Sequence, residues 1–172
     1  MGHRDTDSSH SLSLLRPVCD GDEPAIRQMF VAIRRGPMDA AGFDPGTVVR
    51  LVEHQFELQR AGYRLTFPHA TSEAIVVDGE LVGRVITDYD EARLVLVDIM
   101  IDPGHQRQGI GSRLVADLVA RAGSRSFELR IDHGSPVEAW YRRHGFEQVA
   151  ANDVQAHFVR MPAANVLAAT GT

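Results

Sequence analysis

The chain contains no lysine; all 18 of its basic residues are arginine. A Schiff-base lysine and a phosphate-binding loop that ends in lysine are therefore excluded. Cysteine is nearly absent too. Cys19 is the single one, so no internal disulfide and no multi-cysteine metal site is available. That usage fits a reducing compartment, and the cytoplasm is the expected location. No apolar run approaches the ~20 residues of a membrane span. Met1–Ser11 is polar and lacks the apolar stretch of a secretion signal. Positive charge is in deficit, 18 basic against 23 acidic residues for a formal net charge of −5. Neither a general nucleic-acid binder nor an anionic-membrane binder is expected from that balance.

What remains is the composition of an ordinary globular protein, with 44% hydrophobic and 24% charged residues in a length of 172. A domain of that size buries roughly 70% of its unfolded surface and needs no staples. Residues 1–11 read as a disordered leader, 12–161 as one domain and 162–172 as a flexible tail. Leu12–Pro17 reads as a first strand. Asp20, Asp22 and Pro24 mark a helix start, and Ile26, Met29, Phe30 and Ile33 fall on one face until Gly36-Pro37 stops the helix. After a loop over Met38–Gly46, Thr47–Ala61 returns to helical spacing, with Val48, Leu51, Val52, Phe56 and Leu58 apolar and Gly62 as its end.

Ala74–Val77, Asp78-Gly79 and Leu81–Thr87 form a hairpin pattern whose turn wants positive φ at both central residues. Arg93–Ile101 is a nearly continuous apolar strand, which predicts a central place in the sheet. Gly109–Ala122 is an amphipathic helix, Phe127–Ile131 a strand and Pro136–His144 a short helix. Phe146–Ala150 and Ala156–Met161 are two last strands. The order β-α-α-β-β-β-α-β-α-β-β predicts an α/β (α+β) layer fold, a mixed central sheet flanked by helices.

The segment Val97–Leu114, VDIMIDPGHQRQGIGSRL, carries the chemistry. A buried strand runs into a short polar loop, and Gly109-Ile110-Gly111 opens a helix. The first turn of a helix offers free N–H groups and the positive end of its dipole. Glycines there let a diphosphate approach the backbone, and Gln106 and Arg107 add hydrogen bonds and charge. Taken alone, the glycines are better explained by a tight strand-to-helix turn. The dinucleotide fingerprint fits badly, because its third glycine position is Leu114.

Gln106-Arg107-Gln108-Gly109-Ile110-Gly111 resembles the Q/R-x-x-G-x-G/A signature of the GNAT superfamily of acyl-CoA-dependent N-acyltransferases. Ile99-Met100-Ile101-Asp102-Pro103 resembles that family's apolar strand ending in x-Pro. Ala139-Trp140-Tyr141-Arg142-Arg143-His144-Gly145-Phe146 resembles its aromatic-Tyr-x-x-x-Gly-Phe block. Element order matches over roughly Leu12–Met161. The resemblance implies that acetyl-CoA, as acyl donor, sits where the strand before the signature and the strand after the helix splay apart. Ile99, Met100 and Ile101 would line the pantetheine arm, and a backbone N–H on that strand would polarise the thioester carbonyl. Arg107, Gln108, Gly109, Ile110, Gly111 and Ser112 would hold the pyrophosphate. The family often has an asparagine six or seven residues before the tyrosine; Gly134 and Ser135 stand there instead, and Ser135 would supply one hydrogen bond.

Tyr141 matches the family's tyrosine that protonates the departing thiolate. A packing role for it is the alternative. The acceptor amine must lose a proton, and Asp98, an acid in an apolar strand, is the first candidate to take it. A structural pairing of Asp98 with Arg93 or Arg84 stands beside that reading. Asp132, His133 and a chain of waters are the other candidates. No metal is expected, since His105, His133 and His144 lack ligand spacing.

The resemblance thus implies transfer of an acetyl group to a primary amine of a small molecule or peptide. A non-catalytic acyl-CoA-binding regulatory module on the same fold is the alternative, disfavoured by the retained Tyr141. An interaction protein is disfavoured by the intact glycine loop. Acceptor contacts are expected from Arg34–Gly62 and from Ala151–Gln155. There Glu53 and Glu57 either favour a cationic amine or form a solvated face. A homodimer is possible by fold analogy alone. With no lysine, the chain also has no side-chain amine to acetylate on itself.

Overall fold

The computed structural model describes residues 15–162, so the expected leader, residues 12–14 of the first strand and residues 163–172 of the tail lie outside the described residues. The elements are β1 (Leu15–Pro17), α1 (Glu23–Ala40), α2 (Pro45–Thr66), β2 (Thr71–Val77), β3 (Glu80–Tyr89), β4 (Arg93–Ile101), α3 (Ile110–Ala122), β5 (Ser126–Asp132), α4 (Glu138–Arg143), β6 (Glu147–Ala151) and β7 (Gln155–Arg160). All strands join one sheet in the order β1-β2-β3-β4-β5-β7-β6. Every pairing is antiparallel except β4 with β5. The mixed α/β architecture and its element order are those expected from the sequence. The Asp78-Gly79 turn has φ of 52° and 85°, the double positive φ that its residues favour.

Two apolar layers hold the sheet. On one face α3 buries Leu114, Val115, Leu118 and Ala122 against Leu94, Leu96, Phe127, Leu129 and Phe158. On the other, α1 and α2 bury Ile26, Met29, Phe30, Val48, Val52 and Phe56, with Met100 from the sheet. Phe30 and Phe56 meet edge to face, 5.1 Å between centroids. Among the described residues no helix is long and apolar enough to cross a membrane.

Both long helices overrun their expected ends. Gly36-Pro37 does not stop α1, which continues to Ala40 with Pro37 inside its last turns. A proline so near the end removes one N–H donor, and the Arg35–Asp39 ion pair at 2.7 Å spans the site. Asp44 starts α2 by accepting a hydrogen bond from the Thr47 N–H at 2.8 Å, so only residues 41–44 connect the helices. Gly62 lies within α2, and a Cβ there would meet nothing within 4 Å. The helix absorbs its cost of about 1 kcal/mol and runs one turn further. The buried stripe of α2 is Val48, Val52 and Phe56, spaced by four; Leu51 and Leu58 point outward, 47% and 60% exposed.

The entry to α1 is tied electrostatically. Asp22 accepts two hydrogen bonds from Arg16 at 2.6 and 2.8 Å and one from the Cys19 N–H at 2.9 Å. The Arg16 contact, then the Cys19 N–H, hold the carboxyl far below its ordinary range. A depressed carboxylate adds stability above the unfolded pKa of about 3.9 and loses it as pH falls through the folded value. Asp22→Asn is therefore expected to melt below the parent chain at pH 7, with the gap narrowing below about pH 4; thermal unfolding at stepped pH checks this.

Candidate functional site

The site begins with one extra residue. In the β3–β4 ladder Ile86 pairs with Asp98 and Thr87 with Leu96, so Val97 has no partner and forms a β-bulge. Strand side chains alternate faces, and one inserted residue reverses the alternation beyond it. Leu94 and Leu96 face α3. Past the bulge Ile99 and Ile101 take over that face, and Met100 joins the α1/α2 layer. Asp98 shares the Met100 parity and faces the same side.

The parallel pairing with β5 ends at the same place. It runs from Arg93↔Ser126 to Leu96↔Leu129 and no further. Residues 98–101 stay on β3, whereas Arg130, Ile131 and Asp132 stay on β7. A wedge opens between the two strands. Close approach on its β3 side demands glycine, because a Cβ on Gly83 would lie 2.4 Å from the Met100 carbonyl oxygen.

The loop from β4 to α3 begins where this stretch of β4 ends. Asp102 accepts from the Gly104 N–H at 2.9 Å. The Gln106 amide donates to the Ile101 carbonyl at 2.8 Å, and that of Gln108 to the Gly104 carbonyl at 2.9 Å. Both side-chain amides thus brace the loop. Arg107 has φ of 61° and Gly109 of 82°, two left-handed residues in three. Backbone of that kind turns successive N–H groups into a concave, anion-accepting surface. The left-handed Arg107 costs of order 1–3 kcal/mol, strain typical of a functional loop. The first intrahelical bond of α3 runs from the Arg113 N–H to the Gly109 carbonyl at 3.1 Å. The N–H groups of Ile110, Gly111 and Ser112 have no partner in their own helix.

Tyr141 comes in from α4. It is buried beside Trp140 and Phe146, ring centroids 4.7 and 5.5 Å away. Among the described residues Arg84 Nε is the buried side-chain polar atom left without a partner, so the Tyr141 hydroxyl is not a sealed orphan. Burial first, then the Asp98 charge, push its phenol up to about 12. Tyr141, in the α3-side core, thus feels the charge of Asp98, which faces the α1/α2 side. Ser135 lies in the turn between β5 and α4, its N–H on the Asp132 carbonyl at 3.2 Å.

Asp98 is held by Arg84, Nη2 to Oδ2 at 2.7 Å, and both side chains are largely buried. Of the two arginines named from sequence, the partner is therefore Arg84; Arg93 pairs with Asp90 and Glu128. Losing one member of such a pair costs about 3–5 kcal/mol. Arg84 also stacks on Phe56, 5.8 Å to the ring centroid. Tyr63 of α2 belongs to this cluster, a residue that sequence reasoning missed because Gly62 read as the end of its helix. Its phenol is raised, chiefly by burial and then by Asp98, against the opposing charges of Arg84 and Arg34. Asp132 accepts from the Gln155 amide at 3.0 Å, and His133 Nε2 bonds the Asn152 carbonyl. Both hold the β6–β7 hairpin to the end of β5. Among the described residues no cluster of His, Cys, Asp or Glu has metal-binding geometry.

Comparison with known proteins follows this geometry. Residues 70–148, from β2 into β6, match the family described as the acetyltransferase (GNAT) domain. An N-acetyltransferase from Thermoplasma acidophilum, solved with coenzyme A, superposes with a TM-score of 0.61 at 11% identity, over 86% of this chain and 98% of that one. A histone acetyltransferase HPA2-related acetyltransferase from Corynebacterium glutamicum gives 0.62 at 19% identity, over 89% and 98%. An acetyltransferase from Thermus thermophilus gives 0.60 at 20% identity, over 86% and 96%. These structures share the fold. No curated protein matches the chain significantly by sequence. Residues 70–148 are thus similar to the acetyltransferase (GNAT) domain, and the fold built around them is the one these acetyltransferases share.

Proposed function

We propose that the chain transfers an acetyl group from acetyl-CoA to a primary amine, by direct attack while both substrates are bound. The observation that carries this reading is the wedge opened at Val97, followed directly by the left-handed loop that starts α3. The pantetheine arm lies along Ile99, Met100 and Ile101, whose backbone beyond the bulge has no partner in β5. The pyrophosphate sits on the N–H groups of residues 107–112, where the left-handed Arg107 and Gly109 shape the loop. Gln106 and Gln108 contribute by bracing that loop, and Ser135 by one hydrogen bond from the opposite rim.

The chemistry needs two proton movements. The neutral amine attacks the thioester carbonyl carbon, the C–S bond breaks, and an amide forms. Asp98 accepts the proton lost by nitrogen, and Arg84 fixes that carboxylate through Oδ2. Tyr141 stays protonated at neutral pH, and so presents a donor where the thiolate develops. Asp132 and His133 are the weaker candidates for the base because their side chains are engaged with the hairpin.

A thiol-release assay of acetyl-CoA against a panel of amines tests the activity itself; silence from every amine would contradict it. Tyr141→Phe is expected to lower kcat about 100-fold while leaving CoA affinity nearly unchanged. An unchanged kcat would remove Tyr141 from the chemistry. Asp98→Asn is expected to move the rise of kcat/KM to higher pH, because the amine must then lose its proton to bulk solvent. A profile that stays in place would leave Asp98 with only its hold on Arg84.

A further inference from the structure

A second cavity feature lies on the α1/α2 side of the sheet. A cleft of about 570 Å³ runs between the start of α1, the second half of α2 and strands β2 and β3. Gln59, Tyr63, Arg64 and Ser72 are on its walls, and Arg84 forms part of its lining. The walls from α1 and α2 fall outside residues 70–148, so this cavity is largely built by sequence beyond the matched domain.

Arg84 is the unusual group there. It is 6% exposed, and its Nε has no hydrogen-bond partner. A guanidinium carries five N–H donors, and Asp98 takes one of them. The acids near the cleft do not supply the rest: Asp20, on its wall, forms no ion pair with Arg84, whose partner is Asp98. Glu23 is engaged by Arg27 and Arg60. Glu57, which the sequence offers as an attraction for a cationic amine, is engaged by Arg27. Arg64 adds a further positive charge at the wall. A buried cation with an unpartnered donor in the lining of an open cleft is matched by a carboxylate, which accepts in the plane of the guanidinium. The pair that Arg84 makes with Asp98 sets this anchor next to the point where the amine reacts.

We propose that the acceptor is a small amine that carries a carboxylate, and that Arg84 holds that carboxylate in the cleft. This rests on the acetyl-transfer reading above and narrows its substrate class. The anchor orients the amine toward the thioester while Asp98 stands beside it.

Matched amines separate the two readings. Glycine against methylamine, L-alanine against ethylamine, L-phenylalanine against phenethylamine and γ-aminobutyrate against propylamine differ by the carboxylate. Rates of thiol release are compared per neutral amine. The carboxylate member of at least one pair is expected to lead by tenfold or more in kcat/KM, chiefly through KM. Arg84→Gln should erase that preference and Arg84→Lys retain part of it. If these variants do not fold, the parent enzyme still decides, because propionate or 3-phenylpropionate should inhibit competitively against the amine. Turnover with no carboxylate preference in any pair, or no competition by the deaminated acids, would overturn this proposal alone. Silence from all eight amines would overturn the acetyl-transfer reading and this proposal with it.

Discussion

A single unpaired residue, Val97, is the constraint on which the site depends. An inserted residue in a strand must bend it and reverse the alternation of faces beyond it. Both consequences are used here. The bend ends the β4–β5 pairing at Leu96, so two neighbouring strands part and leave backbone groups without ladder partners. The reversal keeps an apolar face on α3 throughout, Leu94 and Leu96 before the bulge and Ile99 and Ile101 after it. The same reversal turns Asp98 toward Arg84 and the α1/α2 layer. Without it, Asp98 would sit in the α3 core, where an unpaired carboxylate is prohibitively costly.

The site therefore draws on both faces of the sheet. From the α3 side come the helix start, the strained loop and Tyr141. From the other come Asp98, Arg84 and Tyr63, backed by the Phe30–Phe56 contact that joins α1 to α2. The residues proposed for the donor lie within the matched domain, and the cleft proposed for the acceptor leans on helices outside it.

Most of the fold was legible because periodicity and turn chemistry agreed. The Asp78-Gly79 hairpin and the span of β4 follow directly from residue types. Helix ends were less so, since Gly36-Pro37 and Gly62 are breakers locally but lie inside the helices, and the Asp44 cap starts α2 two residues before Thr47. Asp98 and Arg84 were visible as lone charges in apolar strands. Their pairing was only one of two options until the bulge fixed which face Asp98 takes. Nothing in the sequence announces a bulge at a valine, or a left-handed arginine at position 107, because neither residue type favours that geometry. The loop glutamines show the converse: they fit a binding signature, and their amides are spent on the loop's own carbonyls.

The central claim is that acyl-CoA occupies the wedge opened at Val97. Amide hydrogen exchange of the parent chain, with and without saturating acetyl-CoA, tests it most directly. The account predicts new protection over residues 97–101 and 107–112, with little change along the groove of about 300 Å³ between β2 and α3, which Ile75, Val76, Leu114 and Arg121 line. Protection in that groove, with the wedge and the loop exchanging as before, would contradict it.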